Sequence, residues 1–456
     1  MEWLALIMFL FVCLILLLGY PVAFSLAGAS LIFAGLGIAI GAFDDSFIHL
    51  LPNRIYGVMI NPTLMAVPLF VFMGVVLEKS QVAERLLDAM AQAFSGVKAG
   101  LGISITLVGM LLAASTGIVG ATVVTMGLLS LPAMLKHGYS AQYSSGIIAA
   151  TGTLGQIIPP SIALVLLGDV ISSAYQQAQL KQGIFNPEPV SVGELFAGAV
   201  IPGLILVLLY MLYSFGLATF KPASIPEMDK TQSRFPLKSL LSALLPPLVL
   251  IVLVLGSILA GFATPTEAAG VGATGALLIA ALHRKLSLKT LQEICVSTLH
   301  VTAMVFMILI GASLFSLVFR GFGGEELIHQ FFANLPGGVI TATLIVMLIM
   351  FLLGFILDFI EITFVVVPLV APVLLAMGLD PVWLGIMIAV NLQTSFLTPP
   401  FGFALFYLRG VAPDSLPTRA IYQGVIPFIF LQLVLMAMMA YWPILTTWLP
   451  DTIYKS

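Results

Sequence analysis

The chain has 456 residues, of which 60% are hydrophobic and 8% are charged, and its formal net charge is −3. Soluble globular chains carry about 25% charged residues, so this composition excludes a water-soluble protein and predicts one that lies in a bilayer. The small net charge and the lack of a lysine- or arginine-rich run exclude a nucleic-acid-binding protein.

Apolar stretches long enough to cross a membrane recur along the whole chain. A transmembrane helix needs about 20 mostly apolar residues, which predicts spans or half-spans at 3–19, 22–41, 57–78, 99–135, 143–170, 193–217, 239–262, 266–282, 297–319, 338–377, 382–408 and 424–449. The longest stretches are expected to be broken or paired helices. The first lacks a basic start and a small-residue cleavage site, so we expect a retained helix rather than a signal peptide. The predicted fold class is an all-α polytopic membrane protein.

A polar linker at 218–238 divides the chain into two predicted repeats, 1–217 and 239–456. A shift of 240 residues, without gaps, superimposes several prolines and glycines: Pro132 on Pro372, Gly138 on Gly378, and Pro159–Pro160 on Pro399–Pro400. Shifts of 244 or 245 align earlier parts, for example Leu69–Phe70 with Leu314–Phe315. Secondary transporters are often built from two such repeats.

Basic residues indicate that the two repeats are inverted. Cytoplasmic loops collect lysine and arginine, and nine of the 17 basic residues fall in three loops that the counted spans place on one side: Lys221, Lys230, Arg234 and Lys238, then Arg284, Lys285 and Lys289, then Arg409 and Arg419. The loops at Arg54 and Lys181 carry one each. We therefore predict a cytoplasmic linker at 218–238 and a periplasmic N-terminus.

Double prolines predict two helix breaks at matched positions. Proline removes a backbone donor and clashes with the preceding turn, so helices cannot continue through Pro159–Pro160 or Pro399–Pro400. Freed carbonyl oxygens inside a membrane are tolerated where they line a cavity or bind a ligand, and together with hydroxyls they suit sodium. The alternative is a packing kink satisfied by neighbouring helices.

Two carboxylates in the second half, Asp358 and Glu361, lie three residues apart within an apolar stretch. An intramembrane carboxylate is by default a candidate cation ligand or proton carrier. The alternative is a side chain near the interface or hydrogen-bonded to a helix end, more so for Glu361. The 240-residue counterpart is the small, hydroxyl-rich segment 113–122, which is expected either to unwind locally or to pack closely against another helix.

Two further segments that match across the repeats, 66–70 and 311–316, are predicted to be re-entrant hairpin tips, with ordinary spanning helices as the alternative. No Ser-His-Asp, HExxH or Walker pattern occurs. An enzyme is therefore not expected. Because there are only two cysteines, Cys13 and Cys295, no transition-metal site is predicted.

Several motifs together resemble the large membrane subunit of tripartite ATP-independent periplasmic (TRAP) transporters. The resemblance covers essentially the whole chain, and the segments that carry it are 61–70, 114–127 (ASTGIVGATVVTMG), 152–161 (GTLGQIIPPS), 264–269 (TPTEAA) and 398–400 with Gly402. It implies a sodium-driven, elevator-type symporter with re-entrant hairpins in a bacterial inner membrane. It also implies a small four-helix membrane subunit and a periplasmic binding protein that delivers organic anions such as carboxylates.

The same resemblance implies the site residues. One sodium site is expected at Ser115, Thr116, Gly117, Thr153 and Gly155, and a second at Asp358, Thr394 and Thr398. Solute is expected between the hairpin tips, at Ala66, Pro68, Ser313 and Ser316. Because no arginine lies in these motifs, anion recognition is expected to use helix N-termini and backbone N–H groups.

Three alternatives remain beside this interpretation. A stand-alone sodium-coupled dicarboxylate carrier of the related superfamily would need no partner proteins. An intramembrane enzyme would have to use Asp358 and Glu361, whose spacing suits a shared ion site better. A passive channel fits poorly, because broken helices in inverted repeats suit a fixed midplane site.

Overall fold

The computed structural model describes residues 3–94, 97–117, 119–226, 237–333 and 335–454. Over these ranges the chain forms helices and no strands. The helices of the first half are α1 Trp3–Leu17, α2 Val22–Ala39, α3 Ser46–His49, α4 Leu51–Ile60, α5 Ala66–Lys79, α6 Val82–Ala93, α7 Gly100–Thr116, α8 Val119–Lys136, α9 Ala141–Gly152, α10 Ile162–Lys181 and α11 Val192–Phe220. Those of the second half are α12 Leu237–Leu259, α13 Pro265–Leu282, α14 Leu288–Gly321, α15 Gly324–Ala333, α16 Gly338–Leu353, α17 Phe359–Glu361, α18 Val367–Ala376, α19 Pro381–Leu397, α20 Phe403–Val411, α21 Thr418–Tyr441 and α22 Ile444–Tyr454.

Eight helical segments among the described residues are long and apolar enough to cross a membrane, or nine if the bent pair α5 and α6 counts as one span. Their outward faces are apolar as well as their inward ones. In α21, for example, Ile426, Phe430 and Leu433 form an exposed row while Phe428 and Leu435 are buried. A helix that is hydrophobic on all sides is typical of a membrane span. The predicted all-α polytopic class is confirmed.

Helix breaks divide most of the long predicted stretches. Stretch 99–135 forms α7 and α8, stretch 143–170 forms α9, a 3₁₀ turn at Thr153–Gln156 and α10, and stretch 382–408 forms α19 and α20. Both double-proline pairs lie between helices, because neither proline can donate the backbone bond that would continue the helix.

Helix boundaries recur at the offsets found in the sequence. Helix α8 covers 119–136, and α17 to α18, joined through a π-helical turn, cover 359–376, which is the same interval shifted by 240. Helices α2 and α13 both have 18 residues, and their first residues are 243 positions apart, one fewer than the shift of 244. The division into repeats at 1–217 and 239–456 stays a prediction, and most of the predicted linker 218–238 lies outside the described residues.

The chain forms two compact units that interleave along the sequence. The first unit comprises 1–65, 166–191 and 299–388, and the second comprises 66–165, 192–298 and 389–456. Each unit therefore takes segments from both predicted repeats.

Glycines bring helices together in the first unit. A Cβ on Gly311 of α14 would lie 2.5 Å from the carbonyl oxygen of Ala23 in α2, so the two backbones touch. Nearby, the rings of Phe43 and Phe322 pack at 4.9 Å between centroids. Such close approach of backbones through small residues is typical of membrane helix packing.

The prediction of a hairpin tip at 311–316 is wrong. The segment lies in the interior of α14, a helix of 34 residues. The stretch contains no proline, and its small residues serve the contact with α2 rather than a turn. The matched segment 66–70 begins α5 after a break at 61–65. The break forms in the first half because Pro62 lacks a backbone donor, whereas the residue 245 positions later is Met307.

Buried polar side chains link distant helices in the second unit. The Gln432 side-chain amide of α21 donates to the Tyr210 hydroxyl of α11 at 2.9 Å, and both residues are fully buried. The Tyr143 hydroxyl of α9 donates to Ser214 of α11 at 2.7 Å. These bonds fix α9 and α21 against α11.

We expect Gln432→Leu to destabilise the protein by about 1–3 kcal/mol, because it leaves the buried Tyr210 hydroxyl without a partner. Thermal unfolding in detergent measures the effect. The double variant Tyr210→Phe with Gln432→Leu removes both polar groups, so it should recover most of the loss. If the double variant is no more stable than the single one, the hydrogen bond does not account for the effect.

Candidate functional site

The first unit contains a cavity of about 250 Å³. Four segments of the unit line it: α4 with the break that follows, α10, α14, and the start of α18 with the turn before it. Its polar lining residues are Arg54, Asn61, Asp169, Ser173, Gln177, Ser313, Ser316 and Arg320. Apolar residues such as Leu64, Leu309 and Phe364 complete the wall. A concave site in which polar groups converge beside apolar side chains is typical of a site for a small molecule.

Asn61 holds the break between α4 and α5 in place. Its side-chain oxygen accepts from the backbone N–H of Thr63 at 2.9 Å and of Leu64 at 3.4 Å. Its side-chain amide donates to Oδ1 of Asp169 in α10 at 3.0 Å. Asparagine favours such local turns because its side chain imitates a backbone acceptor. The same side chain therefore supports the break and orients the Asp169 carboxylate.

Two arginines line the cavity, and they differ in their hydrogen-bond partners. Arg320, at the end of α14, donates from both Nε and Nη2 to Glu325 Oε1, at 2.9 and 2.5 Å. Among the described residues, Arg54 has no hydrogen bond or ion pair. Burial lowers the pKa of the Arg54 guanidinium, and the like charge of Arg320 lowers it further. The opposite charge of Glu325 acts the other way. Arginine remains protonated, so Arg54 and Arg320 share the single negative charge of Glu325, and this part of the cavity is left with a net positive charge.

The predicted solute residues divide between the two units. Ser313 and Ser316 line the cavity, and with Arg320 they form a row at spacings of three and four residues on one face of α14. Ala66 and Pro68 instead belong to the first turn of α5 in the second unit, where Ala66 is fully buried, and they are not among the lining residues. The serines lie in a helix rather than at a hairpin tip.

The first predicted sodium site falls on a junction within the second unit. Gly117 is the C-cap that follows α7. Its φ is +62°, and a Cβ there would lie 3.0 Å from the Ile162 backbone nitrogen. A Cβ on Gly155 would lie 3.4 Å from the Ala113 carbonyl oxygen. The end of α7 therefore adjoins the 3₁₀ turn that contains Thr153 and Gly155. The side chains of Ser115 and Thr116 lie outside the described residues.

Side-chain oxygens accumulate at this junction. The Gln393 side-chain amide of α19 donates to Thr153 Oγ1 at 3.3 Å, and these two residues are 240 positions apart. The side-chain oxygens of Gln156 and Gln393 are buried and have no hydrogen-bond partner among the described residues. An unpaired buried oxygen costs about 1–3 kcal/mol, and a bound cation would satisfy it. Sequence analysis did not identify either glutamine as a ligand.

The second predicted sodium site is split between the units. Asp358 begins α17 as an N-cap, where its Oδ1 accepts from Phe359 N–H at 2.7 Å, and Glu361 Oε2 accepts from Asp358 N–H at 2.9 Å. This reciprocal capping box is the alternative that the spacing left open. Thr394 and Thr398 belong to the second unit, and each hydroxyl donates to the carbonyl four residues earlier. Their association with Asp358 stays a prediction.

The four prolines of the predicted breaks lie where α9 gives way to α10 and where α19 gives way to α20. Both proline–proline bonds, Pro159–Pro160 and Pro399–Pro400, are cis. Next to the first pair, the fully buried Ser161 hydroxyl donates to the Gly155 carbonyl at 2.7 Å. This bond satisfies one carbonyl of the break, as membrane depth requires.

Arg54 and Arg320 line the cavity although neither lies in the motifs, and the expectation that anion recognition uses helix N-termini and backbone N–H groups stays a prediction. Sequence analysis used Arg54 only to assign loop orientation and did not consider Asp169. The available signal for Asp169 was an acidic residue within the apolar sequence of α10, which is a reason to suspect function. Arg54 gave no comparable signal, because a lone basic residue between spans is ordinary.

The chain matches one family of membrane transport proteins over most of its length. Residues 7–445 match the family described as tripartite ATP-independent periplasmic transporter, DctM component. The chain is 29% identical to the C4-dicarboxylate TRAP transporter large permease of Pseudomonas aeruginosa, over 90% of this chain and 91% of that protein. It is 28% identical to the sialic acid TRAP large permease of Vibrio cholerae, over 96% of each. It is 29% identical to the ectoine TRAP large permease of Halomonas elongata, over 97% of each.

A solved structure supports the fold. The YdaH transporter of Alcanivorax borkumensis superimposes with a TM-score of 0.63 at 13% sequence identity, over 96% of this chain and 99% of that one. At this identity the similarity concerns the fold alone.

Proposed function

Because the chain belongs to the DctM component family of tripartite ATP-independent periplasmic transporters, we propose that it imports a small organic anion across the bacterial inner membrane together with sodium. The observation that carries the anion assignment is the cavity of the first unit, where Arg54 and Arg320 share a single nearby carboxylate, Glu325, which bonds directly to Arg320. Arg54 is half-buried, so its charge is partly desolvated, and a solute carboxylate would neutralise the excess positive charge. The relatives are named permeases for different solutes, so the family alone leaves the solute open.

The chain is expected to work with two partners. A small four-helix membrane subunit would complete the membrane component, and a periplasmic binding protein would deliver the solute. The chain would then lie in the inner membrane with its N-terminus in the periplasm and residues 218–238 in the cytoplasm. The distribution of basic residues supports this orientation.

Sodium coupling is supported by the junction of α7 with the 3₁₀ turn. Backbone carbonyls near a helix break, the Thr153 hydroxyl and the unpaired oxygens of Gln156 and Gln393 are ligand types that suit a desolvated sodium ion. Movement of one part of the protein against another, as in an elevator, would then carry solute and sodium together. No other cofactor is proposed.

Reconstitution into liposomes tests the function. The chain, its small membrane subunit and the cognate binding protein are combined, and uptake of labelled carboxylates is followed with an imposed sodium gradient. We expect uptake only with sodium outside and only when all three proteins are present. Uptake by the chain alone would instead support a stand-alone sodium-coupled carrier. Equal uptake with and without the gradient would refute sodium coupling.

We expect Asp358→Asn to reduce sodium-driven uptake at least about tenfold at limiting sodium, because the variant removes a carboxylate ligand. Asparagine also caps helices well, so α17 should still begin normally and expression should persist. Thr452→Ala, at an exposed hydroxyl of α22, serves as a surface control. Wild-type uptake by Asp358→Asn at limiting sodium would exclude this carboxylate as an ion ligand.

A further inference from the structure

Two opposite charges line the cavity of the first unit without pairing with each other. In the described part of the chain Arg54 has no hydrogen bond and no ion pair within 4.0 Å, and the carboxylate whose charge acts on it, Glu325, is bonded to Arg320. The hydrogen-bond partner of Asp169 is the neutral side-chain amide of Asn61. Arg320 also lines the cavity, but Glu325 already neutralises it through two hydrogen bonds to one oxygen. Two arginines therefore share one carboxylate at one part of the cavity, which leaves a net positive charge there, and the Asp169 carboxyl has no cationic partner within 4.0 Å among the described residues.

This arrangement is costly while the cavity holds no solute. Charges that leave bulk water lose solvation, and the loss is recovered only when each charge gains a close partner. A direct Arg54–Asp169 ion pair would provide this, yet the separation of the two residues exceeds the 4.0 Å limit for such a pair. A solute with groups of opposite charge that contact both residues would compensate the lost solvation of both.

Resting on the proposed function, we propose that the transported solute carries one carboxylate, which pairs with Arg54, and a separate cationic or strongly proton-donating group, which pairs with Asp169. The favoured class is a small zwitterion, such as an amino or amidino acid. A dicarboxylate would place its second charge against Asp169, and like charges repel.

The remaining lining suits such a solute. Ser313 and Ser316 add hydroxyls along α14, and Gln177 adds a carboxamide on α10. Leu309 and Phe364 supply apolar surface for a short carbon chain between the charged ends. A volume of about 250 Å³ admits a molecule of that size.

Three four-carbon acids test the charge pattern directly. The full chain is purified with its small membrane subunit, and binding of 4-aminobutyrate, butyrate and succinate is measured by calorimetry and by the shift in thermal unfolding. We expect 4-aminobutyrate to bind at least about tenfold more tightly than succinate, with butyrate between them. Succinate binding as tightly as 4-aminobutyrate would overturn the proposal.

Charge-removing variants identify the residues. Asp169→Asn keeps an acceptor for Asn61 but removes the charge, so it should weaken 4-aminobutyrate and strengthen succinate, each by about tenfold. Arg54→Gln should weaken all three acids. The matched controls Asp45→Asn and Arg419→Gln change exposed residues that do not line the cavity, and they should leave the order of affinities unchanged.

The outcomes separate this inference from the proposed function. If the acids bind and Arg54→Gln weakens them, but Asp169→Asn leaves the preference unchanged, the anion site stands and the zwitterion proposal fails. If none of the three acids binds the wild-type complex, the assignment of the cavity as an anion site fails, and the inference fails with it.

Discussion

Gly146→Val is expected to prevent the protein from folding. A Cβ on Gly146 of α9 would lie 2.1 Å from the carbonyl oxygen of Gly424 in α21 and 2.5 Å from its carbonyl carbon. Both obstructing atoms belong to the backbone, so the clash is relieved only if the two helices separate. Overpacking usually costs about 1–3 kcal/mol and sometimes more. The reverse contact is equally close, because a Cβ on Gly424 would lie 2.0 Å from the Gln142 carbonyl oxygen. We therefore expect Gly146→Val to have a destabilisation at or above the upper end of this range.

Size-exclusion chromatography and thermal unfolding in detergent measure the result. The matched control is Gly216→Val in α11, where a Cβ would meet no described atom within 4 Å. We expect a monodisperse peak from the control and aggregation from Gly146→Val. Equal unfolding temperatures for the two variants would contradict the close backbone packing of α9 against α21.

Gly117→Ala is expected to abolish sodium-driven uptake while much of the protein still folds. Gly117 ends α7 with a left-handed φ of +62°, a conformation that favours glycine. Its Cβ would also lie 3.0 Å from the Ile162 backbone nitrogen, so the chain must shift where α7 meets the segment after the 3₁₀ turn. An ion site that depends on carbonyl positions is sensitive to such a shift. We expect at least about a hundredfold loss of uptake, since misplacement by about 1 Å can have that effect.

Gly138→Ala separates the two causes. Gly138 has a φ of +80°, and its Cβ would meet the nearest described atom, in Pro226, at an ordinary 3.6 Å. Gly138→Ala therefore has the same unfavourable backbone conformation as Gly117→Ala, but its Cβ does not crowd the junction of α7. We expect near-normal uptake from Gly138→Ala at saturating sodium. If both variants lose uptake equally, the backbone conformation rather than the geometry of the junction is responsible.

Much of the fold follows from the sequence because the membrane limits the possible structures. Apolar length predicted the spans, and the double prolines predicted where the helices are interrupted. The exception is the second matched segment, 311–316, whose counterpart in the first half follows a break and which itself lies inside α14. Small residues such as Gly311 are compatible with both a tip and a tight helix contact. The structure distinguishes these two possibilities, because the backbone of Ala23 lies directly against Gly311.

The candidate site was less predictable because its parts come from distant segments. Ser313 and Ser316 were identified through the repeat, but Arg54 and Asp169 approach the same cavity from helices that lie far apart in the sequence. No spacing rule connects them. Gln156 and Gln393 were missed for a related reason, since an unpaired carboxamide oxygen is visible only when its surroundings are known.

The helix break before 66–70 has no counterpart at the matched segment 311–316, and this difference bears on the number of solutes that the chain binds. In the first half the helix is interrupted at Asn61, whose carboxamide bonds to Asp169 and to the turn amides, whereas in the second half α14 continues through the positions 245 residues later. Because the two matched segments differ in structure, we expect one solute site in the chain rather than two equivalent ones. A calorimetric titration of the purified complex should accordingly saturate at one solute per polypeptide.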